Sequence, residues 1–361
     1  MELDLTDEQQ ELAATVRSLL DKKADSQAVR AAMVSAEGYD RELWRTLCEQ
    51  IGAAALAIPE VYDGAGFGLF ETGVVLEELG RSLAPSPLLT SVLAAEALLA
   101  SGDEAAAPRL LPRIAAGEVA TLAWDAVTKA TSTRAPSDAP PTTSDGSTVS
   151  GTVDDVLFGD QAAVLLVVAQ TPEGPALFEV GPSLASARPT PALDPTLRLA
   201  SLAFDETPAT RIAGDATAAL RRVHLAGSAA VTCLQVGCAQ RALEMTVAYA
   251  LDREQFGRPI GSFQALKHRM ADMLVQVETS RSVARAAAYA VATAAGDADT
   301  LTAAAASYCT DALDHVASET IQLHGGIAIT WEHDAHLVFK RAHSLHHLFG
   351  RPHERRAVLV P

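Results

Sequence analysis

The chain has 361 residues, 48% of them apolar and only 5% aromatic, with a formal net charge of −17. That length allows two or three domains with a large core, and the alanine-rich, aromatic-poor composition favours closely packed helices. The charge excludes a nucleic acid or an anionic membrane as the main partner. With no amino-terminal apolar run and no stretch of membrane-spanning length, a cytoplasmic protein is expected.

Thr6 followed by Gln9 resembles a capping box, and Leu12, Val16, Leu19 and Leu20 then recur at helical spacing, so the chain opens with an amphipathic helix. A second helix is expected over 40–58, ending before Pro59. The loop VYDGAGFGLFE follows; its glycines could cradle a phosphate, but a P-loop would need a preceding strand and a following lysine. Phe70 to Gly80 restores the helical period, and two more helices fit between Pro87 and about Gly117. From Val119 the segments VATLAW, AAVLLVVAQ, ALFEV and LRLASLAFD read as strands, and the polar, proline-rich run 132–151 as a long loop. Helices return after Arg211, over Asp215 to about Arg253, Ser262 to about Gly296, Asp297 to Leu323, and from near Trp331 onward. Three domains are expected: helical over 1–118, β over 119–212, and a helical bundle over 213–361. Cys48, Cys233, Cys238 and Cys309 stand in apolar helical contexts without metal spacing and read as reduced core residues.

Two distant stretches carry the chemistry. Arg253, Phe256, Gly257 and Gln264 lie in REQFGRPIGSFQ, where a guanidinium at a helix end could grip a diphosphate and the amide an adjacent ribose. The same run could also be a plain connection between helices. Residues 322–326 read QLHGG: two glycines end a helix and let backbone approach a phosphate. No metal site is expected, because the spacings among His324, His333, His336, His343, His346, His347 and His353 fit no zinc pattern and suit a solvated or interface role.

The pair DREQFGRPIGSFQALKHRMADM (252–273) and QLHGGIAITWEHDAHLVFKRAH (322–343) resembles the C-terminal helical domain of the acyl-CoA dehydrogenase family. A weaker likeness extends to LTDEQQELAATVRSLL near the start and to 58–81. The resemblance implies a mainly α fold with a middle β domain, a barrel or sandwich, between an N-terminal helical domain and a C-terminal four-helix bundle. It also implies α,β-dehydrogenation of an acyl-CoA thioester with FAD as hydride acceptor, electron-transfer flavoprotein as electron acceptor, and a tetramer. By the same resemblance Arg253, Phe256, Gln264, Gln322, Gly325 and Gly326 would bind the ADP end of FAD across a subunit interface.

The catalytic half departs from that pattern. The usual glutamate base lies in a Tyr-Glu-Gly-Thr run, which here is Leu348-Phe349-Gly350-Arg351; the alternative position, on the first bundle helix, falls at about Gly227. The flavin-side Thr-Glu-Pro-Gly-Ala-Gly-Ser run is replaced by WDAVTKATS (124–132), and the Trp-Ile-Thr motif by Leu157-Phe158-Gly159. Glu244, Glu254, Glu332 and Asp334 are the remaining carboxylates near the matched motifs, with Glu244 and Glu332 the weak candidates for a base. The resemblance therefore points to the smaller, degenerate subunit of a heteromeric acyl-CoA dehydrogenase, as in actinobacterial steroid side-chain breakdown, completing the FAD site of a larger partner. A self-sufficient homo-oligomer with a displaced base, or a flavin-free acyl-CoA-binding or scaffold subunit, are the alternatives.

Overall fold

A computed structural model describes residues 4–127, 141–213 and 216–359. Helix α1 (Asp7–Lys23) starts at the expected capping box: Gln9 N donates to Thr6 Oγ1 at 3.3 Å, and Thr6 N to Gln9 Oε1 at 3.0 Å. Helix α2 (Ser26–Val34), absent from the sequence reading, is capped by Asp25, which accepts from Ala28 N at 2.8 Å. Helix α3 (Arg41–Thr46) passes into a single π-helical turn, Leu47–Ile51, and stops at Gly52 with φ +72°. The helix expected over 40–58 is shorter for that reason: a left-handed residue ends it.

Helices α4 (Leu69–Ser82), α5 (Leu88–Ser101) and α6 (Ala107–Ala115) complete the first helical layer. The glycine loop before α4 folds on itself. Ala65 N donates to Ala55 O, Gly66 N to Ile58 O and Phe67 N to Leu56 O, each at 2.9 Å. Those amides are spent internally, so they are not free to hold a phosphate.

The β region runs through β1 (Ala120–Ala123), β2 (Thr142–Ser144), β3 (Thr148–Leu157), β4 (Val164–Thr171), β5 (Gly174–Val180), β6 (Ser186–Thr190) and β7 (Leu199–Ile212). Successive pairings β4–β2, β2–β3, β3–β7, β7–β5 and β5–β4 close a barrel, with β1 attached parallel to β4 and β6 antiparallel to β7. Closure leaves no free edge in the ring. The run 132–151 is thus no single loop: 132–140 lie outside the described residues, and the remainder contributes β2 and the start of β3. Val149, Val153, Leu165, Val167, Phe178 and Leu202 fill the barrel.

The C-terminal helices are long: α7 (Ala216–Asp252), α8 (Gln264–Ala292) and α9 (Ala298–His324), then α10 (Ala335–Leu345) and a short α11 (Pro352–Leu359) that sequence reasoning missed. Helices α4 and α7 cross backbone to backbone. A Cβ on Gly80 would lie 3.0 Å from the carbonyl carbon of Leu234, and one on Gly237 would lie 2.6 Å from Arg81 N. Only glycine permits that approach. The core is continuous across the layers, taking in Val75 and Leu79 of α4, Ala226 and Leu234 of α7, and Trp124, Leu157 and Phe158 of the β region. No helix among the described residues is long and apolar enough to cross a membrane.

Candidate cofactor site

Helix α7 ends at Asp252, and Arg253 opens a tight ribbon in which β8 (Glu254–Gln255) pairs antiparallel with β9 (Arg258–Pro259). Phe256 (φ +55°) and Gly257 (φ +73°) make the two-residue turn, the left-handed pair such hairpins require. Ile260 N donates to Arg253 O at 2.8 Å and closes the base. The Arg258 guanidinium lies 4.1 Å above the Phe263 ring, and Phe256, 92% exposed, meets the same ring edge-on at 6.1 Å. Gln264 is the first residue of α8, with its side-chain amide 2.8 Å from His268 Nε2. Arg253 and Gln264 are both exposed, and among the described residues neither Arg253 nor Arg258 has a carboxylate partner.

The second stretch comes to the same place. Gly325 caps α9 with φ +65° and ψ −144°, a conformation that favours glycine, and nothing lies within 4 Å of where a Cβ would stand on Gly325 or Gly326. Gln322 is exposed on the last turn of α9. Tyr249, one turn before Arg253, stacks on His324, the neighbour of Gly325, with ring centroids 4.5 Å apart and planes 25° apart. His333 packs beside the pair, tilted, at 4.5 Å from His324. Sequence reasoning singled out both glycines but missed the aromatic stack beside them. Its only signal was the clustering of histidines. Exposed guanidinium, exposed side-chain amide and open backbone form a set that suits the anionic, hydroxyl-bearing end of a dinucleotide.

The two positions where the resemblance would place a base also meet, and neither holds a carboxylate. Phe349 is buried, at φ +57° in the turn between α10 and α11. Its ring fills the space beside Gly227 of α7: a Cβ there would overlap the ring tip and lie 2.6 Å from Cε2. Phe349 N donates to Val127 O at 2.9 Å, tying the turn to the β region, and His224 meets the ring edge-on at 5.8 Å. Behind the ring the buried Arg355 donates to His224 Nε2 at 2.7 Å and Ser228 Oγ at 2.9 Å. Burial pushes Arg355 down to about 10 and His224 down to about 3. Leu157 and Phe158 are buried in the same core, with Phe158 against Tyr39. Leu157, Phe158 and Phe349 are apolar and buried, so these side chains offer a flavin ring or a thioester neither a base nor a hydrogen-bond donor.

The other carboxylates are placed elsewhere. Glu244 accepts from Arg81 Nε at 3.0 Å and Gln240 Nε2 at 2.9 Å, on the α4–α7 contact. Asp334 accepts from Arg30 Nη2 and Ser26 Oγ, each at 2.7 Å, and these contacts hold its carboxyl below the usual range against the opposing effect of burial. Glu254 lies exposed on the ribbon and Glu332 exposed after the glycine turn. All four cysteines are buried free thiols; burial pushes Cys48, Cys233 and Cys238 up to about 12, which makes them poor nucleophiles. Among the described residues no three His, Cys, Asp or Glu side chains converge as a metal site.

Helices, a small barrel and a long helical bundle with paired motifs at its end define a class, and comparison with known proteins identifies it. Residues 6–118 match the family model of the acyl-CoA dehydrogenase N-terminal domain, and residues 219–352 that of the C-terminal domain. The chain belongs to the acyl-CoA dehydrogenase family of oxidoreductases. It is 42% identical over 354 residues to acyl-CoA dehydrogenase IpdE2 of Mycolicibacterium smegmatis, covering 97% of each chain. Among solved structures it resembles a chain of the ChsE4-ChsE5 complex from Mycobacterium tuberculosis, with TM-score 0.88 and 28% identity over 99% of this chain and 98% of that one. It also resembles the Tcur3481-Tcur3483 steroid ACAD, in its G363A variant, with TM-score 0.87 and 31% identity over 98% and 96%.

Proposed function

We propose that this chain is the non-catalytic subunit of a heteromeric acyl-CoA dehydrogenase. It lends Arg253, Phe256, Gln264, Gln322, Gly325 and Gly326 to the ADP end of FAD, whose ring and acyl-CoA substrate are held by a larger partner. The observation that supports this reading is the Phe349 ring seated in the space of a Gly227 side chain, so that the two positions where the resemblance expects a base meet and hold no carboxylate. FAD when bound accepts the β-hydride as a carboxylate removes the thioester α-proton; that carboxylate belongs to the partner. Arg253 would pair with the pyrophosphate, Gln264 would hydrogen-bond beside it, and the backbone at Gly325 and Gly326, with open space where a Cβ would stand, would allow close approach of the cofactor.

The division into a helical domain over 1–118, a β domain over 119–212 and a bundle over 213–361 belongs to this proposal. So does electron-transfer flavoprotein as the acceptor. The two-component name of the ChsE4-ChsE5 complex and the steroid designation of the Tcur3481-Tcur3483 enzyme support a hetero-tetramer acting on a steroid-derived acyl-CoA. Against a self-sufficient enzyme stands the engagement of Glu244 and Asp334 by arginines.

The test is purification of the chain alone and co-expressed with its larger partner. We expect a colourless, inactive protein alone, and a yellow complex that dehydrogenates the thioester and loses FAD on Arg253→Ala. Stoichiometric FAD and full activity in the isolated chain would overturn the reading.

A further inference from the structure

The Arg253 ribbon and the Gly325–Gly326 turn belong to different elements, and a cofactor half-site built from both needs them held in register. We propose that Tyr249, His324 and His333 are the positioning residues that hold these two elements in register, and that the stack does so only with its imidazoles uncharged. The inference rests on the half-site reading above and extends it to regulation.

The stack lies where such a device must. Tyr249 is on the last turn of α7, four residues before Arg253, and its ring covers His324, which is 3% exposed and immediately precedes Gly325. His324 is locked from below, its Nδ1 2.7 Å from Thr320 O on its own helix. His333 lies beside His324, tilted by 51°, and contacts Tyr249 edge-on at 6.3 Å, so three rings from three segments form one cluster. The far end is anchored as well. His333 Nδ1 accepts from Ala335 N at 3.1 Å, and the next residue, Asp334, is clamped by Arg30 and Ser26 of α2. A turn that carries exposed glycines is thereby tied to α7 on one side and to the N-terminal helices on the other.

The charged and titratable neighbours favour the uncharged state. Burial holds His324 below the ordinary imidazole value, and a charge on His333 would lower it further. Burial likewise lowers His333, with Arg241 of α7 and Arg30 of α2 acting the same way and Asp334 opposing. His336 and Lys340 of α10 complete the surroundings; His336 is lowered by burial, Lys340, Arg30 and His333. Asp334 acts in the other direction on His333 and His336 and is already paired, while backbone hydrogen bonds at Thr320 and Met245 oppose the lowering at His324. Two imidazoles 4.5 Å apart cannot both take a proton without mutual repulsion, so acidification separates the rings and with them the two halves of the half-site.

FAD retention by the complex of this chain with its larger partner tests this, followed by the fluorescence of released FAD from pH 8 to pH 5, with thermal unfolding of each variant as a control. Wild type should hold FAD evenly above pH 7 and release it as the pH falls below about 6. His324→Phe keeps the central ring but leaves His333 no second imidazole to repel, and should abolish that release. His324→Ala should weaken retention about tenfold at pH 7, the size of one lost aromatic pair. Arg253→Ala separates the two levels. If it fails to weaken retention, the half-site reading and this inference both fall. If it weakens retention while His324→Ala does not, or if His324→Phe still releases FAD as wild type does, the half-site stands and this inference is overturned.

Discussion

At the scale of single residues, Phe349 and Gly227 behave as a matched pair. A glycine inside a 37-residue helix costs about 1 kcal/mol relative to alanine, so its presence at 227 needs a reason, and the reason is the ring beside it. Gly227→Ala should therefore destabilise the chain by about 1–3 kcal/mol despite its better helix propensity, seen as a lower denaturant midpoint with unchanged slope. Phe349→Leu made together with it should recover part of that loss, giving a coupling in a double-mutant cycle that unrelated sites would not show. That Phe349 falls where the family resemblance expects a glutamate is read from the sequence through Gly350, which follows it as glycine follows the glutamate in that run. That it touches position 227 is not, since 122 positions separate them and only the fold brings them together.

At the scale of elements, α10 is held by charge on both sides, and the two attachments respond differently to their surroundings. Toward the barrel, Arg341 is 2% exposed and donates from Nε to Asp194 Oδ2 at 2.6 Å and to Thr196 Oγ1 at 2.8 Å. Arg341→Met would leave the buried Asp194 carboxylate without its counter-charge, and the expected cost is about 3–5 kcal/mol in chemical unfolding. Just past the end of α10, toward α9, His346 Nδ1 lies 2.6 Å from Asp314 Oδ2, and this contact raises the imidazole above its ordinary value. A raised histidine stabilises fully below its unfolded pKa and loses that contribution as pH rises through the folded one. The gap in melting temperature between wild type and His346→Gln should therefore be wider at pH 6 than at pH 8. Helix existence was readable from apolar period for the long α7, α8 and α9. Helix α2 and α11 were missed because each is short and its hold on the structure is tertiary: Arg30 to Asp334, and Arg356 Nη1 to Asp311 at 2.6 Å. The strands β2, β3 and β6 escaped for a related reason: β2 and β6 are polar, β3 mixes polar residues with Gly151, and all three are stabilised by pairing, β2 with β3, and β3 and β6 with β7.

At the scale of the whole molecule, the surface and the interior divide the labour between what a partner can reach and what it cannot. Exposed apolar side chains, Leu251, Phe256, Val275, Ile329 and Trp331, occur on the elements that carry the two motifs and on α8 between them. Leu157, Phe158 and Phe349 instead belong to the continuous core that α4 and α7 share. Sequence alone pointed to both halves of this contrast through motif matches and mismatches. It could not reveal that the mismatched positions are filled by side chains that pack against one another. The close backbone approaches of Gly80 to Leu234 and of Gly237 to Glu77 and Arg81 add a mechanical constraint. With no side chain to act as a bearing, the first and last helical layers are riveted at that crossing and cannot shear past each other. Any breathing that admits or ejects a ligand must then hinge at the ends of α7, leaving amide protons around 77–81 and 234–238 among the slowest in the molecule to exchange with deuterium.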